Sequence, residues 1–510
     1  MYEVDIHNKL KEITCKQDVK LNFTPDKVGG DISTNAAMAS GVDAKEIVDE
    51  LKKLDFIEEF NIVGPGFINM SVKKDILNKE VIEISQKEKL YGGGKEKGRI
   101  IFEMVSSNPT GPLHIGHGRG AVIGDTLGRI SEHLGYKVTR EYYVNDTGTQ
   151  MSLLGESILS RMKGEEPPLD GYKGEYIKEV AEKLKSCATA RQCSEKASQM
   201  IINKHFEVLK KFGVHYENRV FESSLIKKNK VKQILDILSQ KDLTYEKDGA
   251  VWFKSSMFND NSDRVLKKNN GELTYFASDC AYHKDKAERA DIVVNIWGAD
   301  HHGYIGRLNS FWKAMDYDKD KLLDIIIYQL VNLKKGGKKV SMSTRQGKFI
   351  TLQEVLEEVG TDAARYFLLM RSPDSPLEFD LNLAKQESKK NPVYYIQYSH
   401  ARICSVFKKA GVSPESLNFK LALELGREEK EVIKILAHFP YVIRKCMFLK
   451  APHLLTEYLK DLATSFHKYY DTVRILGSEK EEARLVLLKA VKDVAKTGLS
   501  LAGVSAPEIM

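Results

Sequence analysis

The chain has 510 residues, 42% hydrophobic and 29% charged, with a formal net charge of +7. That length calls for roughly three or four domains with real cores, and the mild positive charge admits a nucleic-acid partner without requiring one. No run approaches the ~18–20 apolar residues of a membrane helix, and the opening MYEVDIHNKLKEI lacks the basic and apolar regions of a secretory signal, so no membrane partner and a cytoplasmic location are expected.

In chain order, residues 1–90 read as a small α/β unit. A helical stretch, Ala44–Leu54, precedes an apolar strand, the turn Gly64-Pro65-Gly66 and the run Phe67-Ile68-Asn69-Met70. Gly92-Gly93-Gly94 reads as a linker. Arg99–Val105 is a short apolar run suited to a buried parallel strand. After a Ser/Asn/Pro/Gly loop, a helical pattern runs from about His117 to Leu134, closed by Gly135, and Lys137–Val144 reads as the next strand. Strand, glycine-bearing loop, helix and strand open a doubly wound, Rossmann-type parallel sheet. Residues 151–270 interrupt it with charged, mostly helical sequence. The α/β pattern resumes with the strand Asp291–Trp297, the loop Gly298–Gly303, a helix to about Met315 and the strand Asp324–Leu333, followed by a lysine-rich loop. From Leu352 onward the pattern is almost wholly helical, as in Asp362–Met370, Pro392–Phe407, Lys430–Leu449 and Glu481–Leu501. The expected architecture is multidomain α/β: a small α/β domain at 1–90, a parallel-sheet catalytic domain at 91–360 with its insertion at 151–270, and an all-α domain at 361–510.

The cysteines Cys15, Cys187, Cys193, Cys280, Cys404 and Cys446 form no CxxC pair and no cysteine–histidine set of zinc-finger spacing. Free thiols in a reducing compartment are expected. His301 and His302 have no evident third ligand nearby, so no zinc is expected.

The strongest local signal is Asn108-Pro109-Thr110-Gly111-Pro112-Leu113-His114-Ile115-Gly116-His117, between a strand and a helix. A helix N-terminus offers unpaired N–H groups and a positive dipole end, which suits a triphosphate. Gly116 lets a nucleotide approach the backbone, and His114 and His117 can donate hydrogen bonds where charge builds up in an in-line displacement. This segment resembles the HIGH motif of class I aminoacyl-tRNA synthetases, and FEMVSSNPTGPLHIGHGRGAVIGD is similar to the arginyl branch of that family. The resemblance extends through GDISTNAAMAS, GPGFINM, REYYVNDTGTQ, WGADHHGYIGRL, TDAARYFLLMRSPDSPLEFDL, NPVYYIQYSHARI and the ending GLSLAGVSAPEIM. It implies ligation of arginine to its tRNA, through arginyl-adenylate, with ATP and Mg2+ as the only cofactors and a monomeric enzyme.

An arginine side chain presents a planar guanidinium with five donors, best held by carboxylates and an aromatic wall. The resemblance implies that Glu103 and Asp279 bind the guanidinium, that Tyr275 packs on it and that Asn108 holds the substrate's backbone end. Gly298–Ile305 lacks the glutamine the family places in this pocket. Gly116, Gly298, Asp300 and His301 fall where the class contacts ATP. The second class I signature, KMSKS, corresponds to Val340–Gly347, where Ser341 and Thr344 replace both lysines; Met342 and Ser343 keep the pattern and are expected at ATP. Such a loop needs positive charge against the leaving pyrophosphate. Lys339 or Arg345 is expected to supply it. Tyr394, Tyr395, Tyr398, His400 and Arg402 form an aromatic and basic cluster that suits either core packing or stacking on unpaired bases. The resemblance places Tyr398, Arg402 and Met510 against tRNA, and residues 1–90 as a second tRNA-contacting domain.

Overall fold

The computed structural model describes residues 2–17, 19–24, 29–184, 187–339, 350–418 and 426–510. The chain divides into two compact units, Lys95–Gln386 and the pair of segments Met1–Gly94 and Glu387–Met510.

The first unit is built on a five-stranded sheet in the order Leu322–Tyr328, Ile292–Gly298, Arg99–Met104, Lys137–Val144, Asn218–Phe221, and every neighbouring pair is parallel. Chain order reverses on either side of Arg99–Met104, which makes its C-terminal end the crevice where such sheets bind ligands. The register sets a row of polar residues across the sheet. Asn295 lies beside Glu103, Glu103 beside Glu141, and Glu141 beside Asn218. Two buried carboxylates on adjacent strands repel unless cations answer them. The helix Tyr275–Arg289 brings those cations over the row, Lys286 to Glu103 and Arg289 to Glu141.

The helix Ile115–Leu134 crosses the sheet on closely spaced glycines. A Cβ at Gly120 would meet Tyr328 at 2.8 Å, and one at Gly124 would meet the Met104 sulfur at 2.5 Å and Ile296 at 2.7 Å. Further along the helix, Asp125 is buried and accepts from Arg129 (2.7 Å) and Arg365 (2.5 Å), with Arg140 at 3.2 Å. Gly135 caps the helix in the left-handed region at φ 106°. The stretch expected to be mostly helical also holds the short strands Asn218–Phe221, Thr244–Lys247, Ala250–Phe253 and Arg264–Lys267. Each has four residues, too few for a period of two to stand out from neighbouring charge. The supposedly helical stretch after Leu352 likewise contains the strand Leu377–Asp380, paired in parallel with Val331–Lys335.

In the second unit, a four-stranded antiparallel sheet (Leu21–Phe23, Ile32–Thr34, Phe67–Val72, Ile57–Val63) precedes the long helices Pro392–Ala410, Arg427–Phe448, His453–Thr472 and Glu481–Ala502. Within this unit Lys430 pairs with Asp31 at 2.9 Å, His438 with Glu3 at 2.5 Å, and Lys489 with Glu88 at 3.0 Å. No helix among the described residues is long and apolar enough to cross a membrane.

The glycine face makes a stability prediction. Alanine in place of Gly124 gains about 1 kcal/mol of helix propensity but overpacks the sheet by about 1–3 kcal/mol. Gly124→Ala is therefore expected to lower the urea midpoint. A raised midpoint would show that the helix does not rest on this glycine.

Candidate functional site

Three features of the Lys95–Gln386 unit converge at the C-terminal end of Arg99–Met104. The first is the turn that follows the strand. Val105 and Ser106 adopt φ of 72° and 42°. A β-branched residue in that region is strained, and strain of this kind gathers at functional sites. The bend lets the Ser106 hydroxyl donate to Glu103 Oε1 at 2.9 Å while accepting from the Tyr143 amide at 3.2 Å.

The second is the start of Ile115–Leu134. His114 is its N-cap and accepts from the Gly116 amide at Nδ1 (3.1 Å). The His114 amide in turn donates to His117 Nδ1 at 3.2 Å. The two rings stack 3.7 Å apart. Burial holds the pKa of His114 below the usual range. Burial, then His114 and His205, hold that of His117 well below it. Both imidazoles are therefore neutral at pH 7. With each Nδ1 accepting, the proton of each ring sits on Nε2, a donor for an anion at the helix end. The sequence pointed to charge stabilisation here; the structure makes it hydrogen-bond donation by neutral rings plus the helix dipole. On the far side, Thr351 bridges His114, and the Leu352 amide donates to the Leu113 carbonyl at 2.8 Å.

The third is an acidic, aromatic pocket. Asp279 lies on the helix Tyr275–Arg289, one turn from Tyr275, whose hydroxyl lies so close to Gly148 that a Cβ there would meet it at 2.5 Å. Burial first, then Glu103 and Glu222, raise the Asp279 pKa to about 7, against the opposing pull of Lys286 and His301. Glu222 was not singled out by sequence reading. It opens the short helix Glu222–Lys227 inside the charged stretch, is itself buried, and has a raised pKa, chiefly from burial. Tyr143 stacks on Tyr282 at 4.6 Å, and burial followed by Glu222, Asp279, Glu103 and Asp146 raises its pKa far above the phenol range. The pocket thus holds more negative than positive charge, flat rings for walls and a half-ionised carboxyl, a set that suits a planar cation.

The remaining expected residues are placed as follows. Asn108 donates to Gln150 Oε1 at 2.6 Å, so a glutamine does stand beside it, at the start of the helix Thr149–Met162 and not in Gly298–Ile305. Gly298 precedes a 3-10 turn, Ala299–Tyr304, in the span read as a loop, and a Cβ on it would meet Asp300 at 2.6 Å. Asp300 pairs with His301 at 3.2 Å and raises its pKa; the His301 ring lies 5.8 Å from Trp297. Met342, Ser343 and Arg345 lie outside the described residues, as does the side chain of Lys339. Of the neighbouring lysines, Lys334 pairs with Glu378 at 2.6 Å and Lys335 with Glu358 at 2.9 Å, whereas Lys338 is exposed.

In the other unit, Tyr394 and Tyr398 stack at 6.3 Å, Tyr398 and His467 at 5.9 Å, and Arg402 lies over Tyr398 (4.9 Å) and Tyr470 (5.2 Å). Met510 is exposed. His400 departs from the expected cluster. It is buried and hydrogen-bonds the Pro507 carbonyl at 2.8 Å, so it fastens the C-terminal segment instead of facing solvent.

Comparison with known proteins gives three family matches: "tRNA synthetases class I (R), catalytic domain" over residues 80–403, "DALR anticodon binding domain" over 396–510, and "Arginyl tRNA synthetase N terminal domain" over 2–72. An arginine–tRNA ligase of Caldanaerobacter subterraneus is 40% identical over 97% of this chain and 94% of its own length. One of Solidesulfovibrio magneticus is 42% identical over 96% of each. The arginyl-tRNA synthetase structure of Thermus thermophilus shares the fold with a TM-score of 0.80 at 21% identity, covering 100% of this chain and 99% of that one.

The Asp279 shift has a consequence for stability. An aspartate titrates near 3.9 in an unfolded chain, and here near 7 in the fold. Between these values the folded state binds more protons, so the carboxyl subtracts stability as pH rises from about 4 to 7. Asp279→Asn removes that subtraction. The variant is expected to match wild type at pH 4 and to exceed it by roughly 1–3 kcal/mol at pH 8, read as the difference in thermal midpoint at the two pH values. An equal offset at both would refute the assigned shift.

Proposed function

We propose, from the premise that the chain belongs to the arginyl-tRNA synthetase family, a division of labour among the residues of this site. The activity itself, aminoacylation of tRNA with arginine in translation, is that of the family. The reading rests above all on the excess of carboxylate around Asp279, set beside a helix N-terminus capped by two neutral histidines.

Arginine enters with its guanidinium toward Asp279 and Glu103 and its flat face against Tyr275, while Asn108 holds the backbone end. ATP lies along the start of Ile115–Leu134, against Gly116, with Gly298, Asp300 and His301 at its ribose and base and Met342 and Ser343 closing over it. Magnesium arrives with ATP as the counter-ion of its phosphates. The arginine carboxylate attacks the α-phosphate; the bond to the bridging oxygen breaks, and pyrophosphate leaves. The Nε2 protons of His114 and His117 donate to phosphate oxygens as charge builds, without proton transfer, so positioning and electrostatics carry the rate. The terminal adenosine of tRNA then takes the arginyl group on its 2′-hydroxyl and AMP departs. Tyr398 and Arg402 offer a stacking and cationic face to unpaired anticodon bases, with Met510 at its margin. Residues 1–90, 91–360 and 361–510 act as the tRNA-contacting, catalytic and anticodon-reading parts of a monomeric, cytoplasmic enzyme.

Pyrophosphate exchange with ATP, arginine and tRNA tests the pocket. Asp279→Ala is expected to raise the arginine KM by at least ~100-fold, as for a lost charged contact, with the ATP KM nearly unchanged. An unchanged arginine KM would remove Asp279 from the pocket.

The same assay addresses the cation for the leaving group. Lys339 is the last residue before the altered loop, and the glycines Gly336 and Gly337, both at positive φ, form the tight turn before it. Lys339→Ala is expected to lower kcat roughly 10²-fold with little change in arginine KM, because the contact forms in the transition state. Near-wild-type kcat would pass the role to Arg345.

A further inference from the structure

Lys286 is the one fully buried ammonium beneath the acidic pocket among the described residues. Its Nζ donates to Glu103 Oε2 and, at 2.8 Å, to Asn295 Oδ1, and lies 4.0 Å over the Tyr282 ring. The Asn295 amide hydrogen-bonds His283 Nε2 at 2.8 Å, and His283 Nδ1 hydrogen-bonds the Asp279 carbonyl at 2.8 Å. This order of contacts fixes a neutral His283 with its proton on Nδ1, consistent with a pKa well below the usual range from burial and from Lys286. An unbroken polar chain therefore runs from Glu103 through Lys286, Asn295 and His283 to the backbone of Asp279. Its inner links, Lys286, Asn295 and His283, take no direct part in the reaction as proposed above.

We propose that Lys286 is a positioning residue for arginine recognition: its ammonium balances Glu103 from within the fold, so that Asp279 meets the substrate's guanidinium as a carboxylate. The proposal rests on the reading of Asp279 and Glu103 as the arginine pocket. Glu103 has one oxygen on Lys286 and the other on Ser106, so it is held in place and its charge is answered before any ligand arrives. Asp279 has no such ion pair among the described residues and is the carboxyl whose ionisation the substrate completes.

Every charged or titratable group packed against this centre enters the argument. Glu103 from its strand and Glu222 from its short helix oppose ionisation of Asp279. Asp146 acts on Glu222 and on Tyr143. Glu141 is already answered by Arg289, with Tyr282 and Asn218 donating to it. Among the described residues, Lys286 and His301 favour the ionised form. His301 is itself paired with Asp300 and half exposed, whereas Lys286 is enclosed and acts at full strength.

Loss of the ammonium has two opposed effects. It removes a repulsion on the incoming guanidinium, and it leaves two or three carboxyls competing for too little positive charge. Below the raised pKa of Asp279 the second effect dominates, because that carboxyl takes up a proton. Well above it the first is all that remains. The signature is therefore a displaced pH profile and not a uniform loss.

The test measures the arginine KM in pyrophosphate exchange with tRNA present, from pH 6 to 9, for wild type, Lys286→Met, Lys286→Arg and Asp279→Asn. Lys286→Met is expected to move the acid limb of the arginine kcat/KM profile alkaline by about one unit, a rise in KM of roughly tenfold at pH 6 and roughly fivefold at pH 7 that disappears by pH 9, with the ATP KM unchanged. Lys286→Arg keeps the cation and is expected to restore the wild-type limb. A KM raised equally at all pH values, or unchanged at all of them, overturns the proposal. Should Lys286→Met fail to fold, the pair Glu103→Gln with Lys286→Met strands no buried charge. It is expected to keep the wild-type limb, and a displaced limb in the pair overturns the proposal. An Asp279→Asn variant with wild-type arginine KM at every pH would instead sink the pocket reading, and the Lys286 proposal with it.

Discussion

Across the middle of the parallel sheet runs a row of polar side chains, Asn295, Glu103, Glu141 and Asn218, on strands rich in Val, Ile and aromatic residues. Two carboxylates side by side in a buried sheet would destabilise the fold by several kcal/mol if left unanswered. The helix Tyr275–Arg289 exists in its observed position because it answers them. Lys286 and Arg289 reach Glu103 and Glu141, and Tyr282 donates to Glu141 at 2.8 Å. That docking fixes the rotation of the helix, and the rotation in turn carries Asp279 and Tyr275, about two and three turns before Lys286, to the crevice at the strand ends. The position of the carboxyl proposed to bind arginine is thus a consequence of how the sheet's own charge is neutralised.

The phosphate side of the site depends on a different element with the same economy. Ile115–Leu134 lies flat on the sheet because Gly120 and Gly124 leave no Cβ between backbone and strand. Its N-terminus is thereby delivered to the strand end next to Glu103, where His114 and His117 accept at Nδ1 from amides of the first turn and so carry their ring protons on Nε2. At its midpoint, Asp125 collects Arg129, Arg140 and Arg365; burial alone would raise its pKa, and the three guanidinium groups outweigh it. A donor already held where charge will develop needs no reorganisation during the reaction.

What the sequence made legible was local. HIGH follows an apolar run and precedes a helical one, Gly135 stops that helix, and Tyr275 and Asp279 stand one turn apart; each is a pattern within about twenty residues. What it hid was pairing over distance. Lys286 and Glu103 are 183 residues apart, and nothing near either announces the other. Glu222 sits among charges whose natural reading is a solvated surface, yet the fold buries it. His400, two residues from Tyr398 and six from Tyr394, falls on another face of Pro392–Ala410, and there it meets a carbonyl of the C-terminal segment that nothing near it in sequence foretells. Four-residue strands such as Ala250–Phe253 were lost for the simpler reason that two alternations do not make a period.

The charge balance also bears on how a pocket of this kind distinguishes its substrate. A guanidinium carries its charge at every physiological pH and offers paired donors in a plane. When it arrives, a partly protonated Asp279 releases its proton, and the excess of carboxylate is offset from outside the fold. A neutral side chain of similar shape cannot do this. It would leave Asp279 protonated, Glu222 without a charge partner, and the donors and acceptors of the pocket facing an apolar surface. An ammonium brings the charge but not the plane, and so meets one carboxyl where a guanidinium spans two. Sites built around polar contacts reject analogues lacking them by roughly 10⁴–10⁵. Discrimination of that size leaves no requirement for a second, hydrolytic site where, as proposed, Asp279 recognises arginine and its ionisation near neutral pH is completed by that substrate.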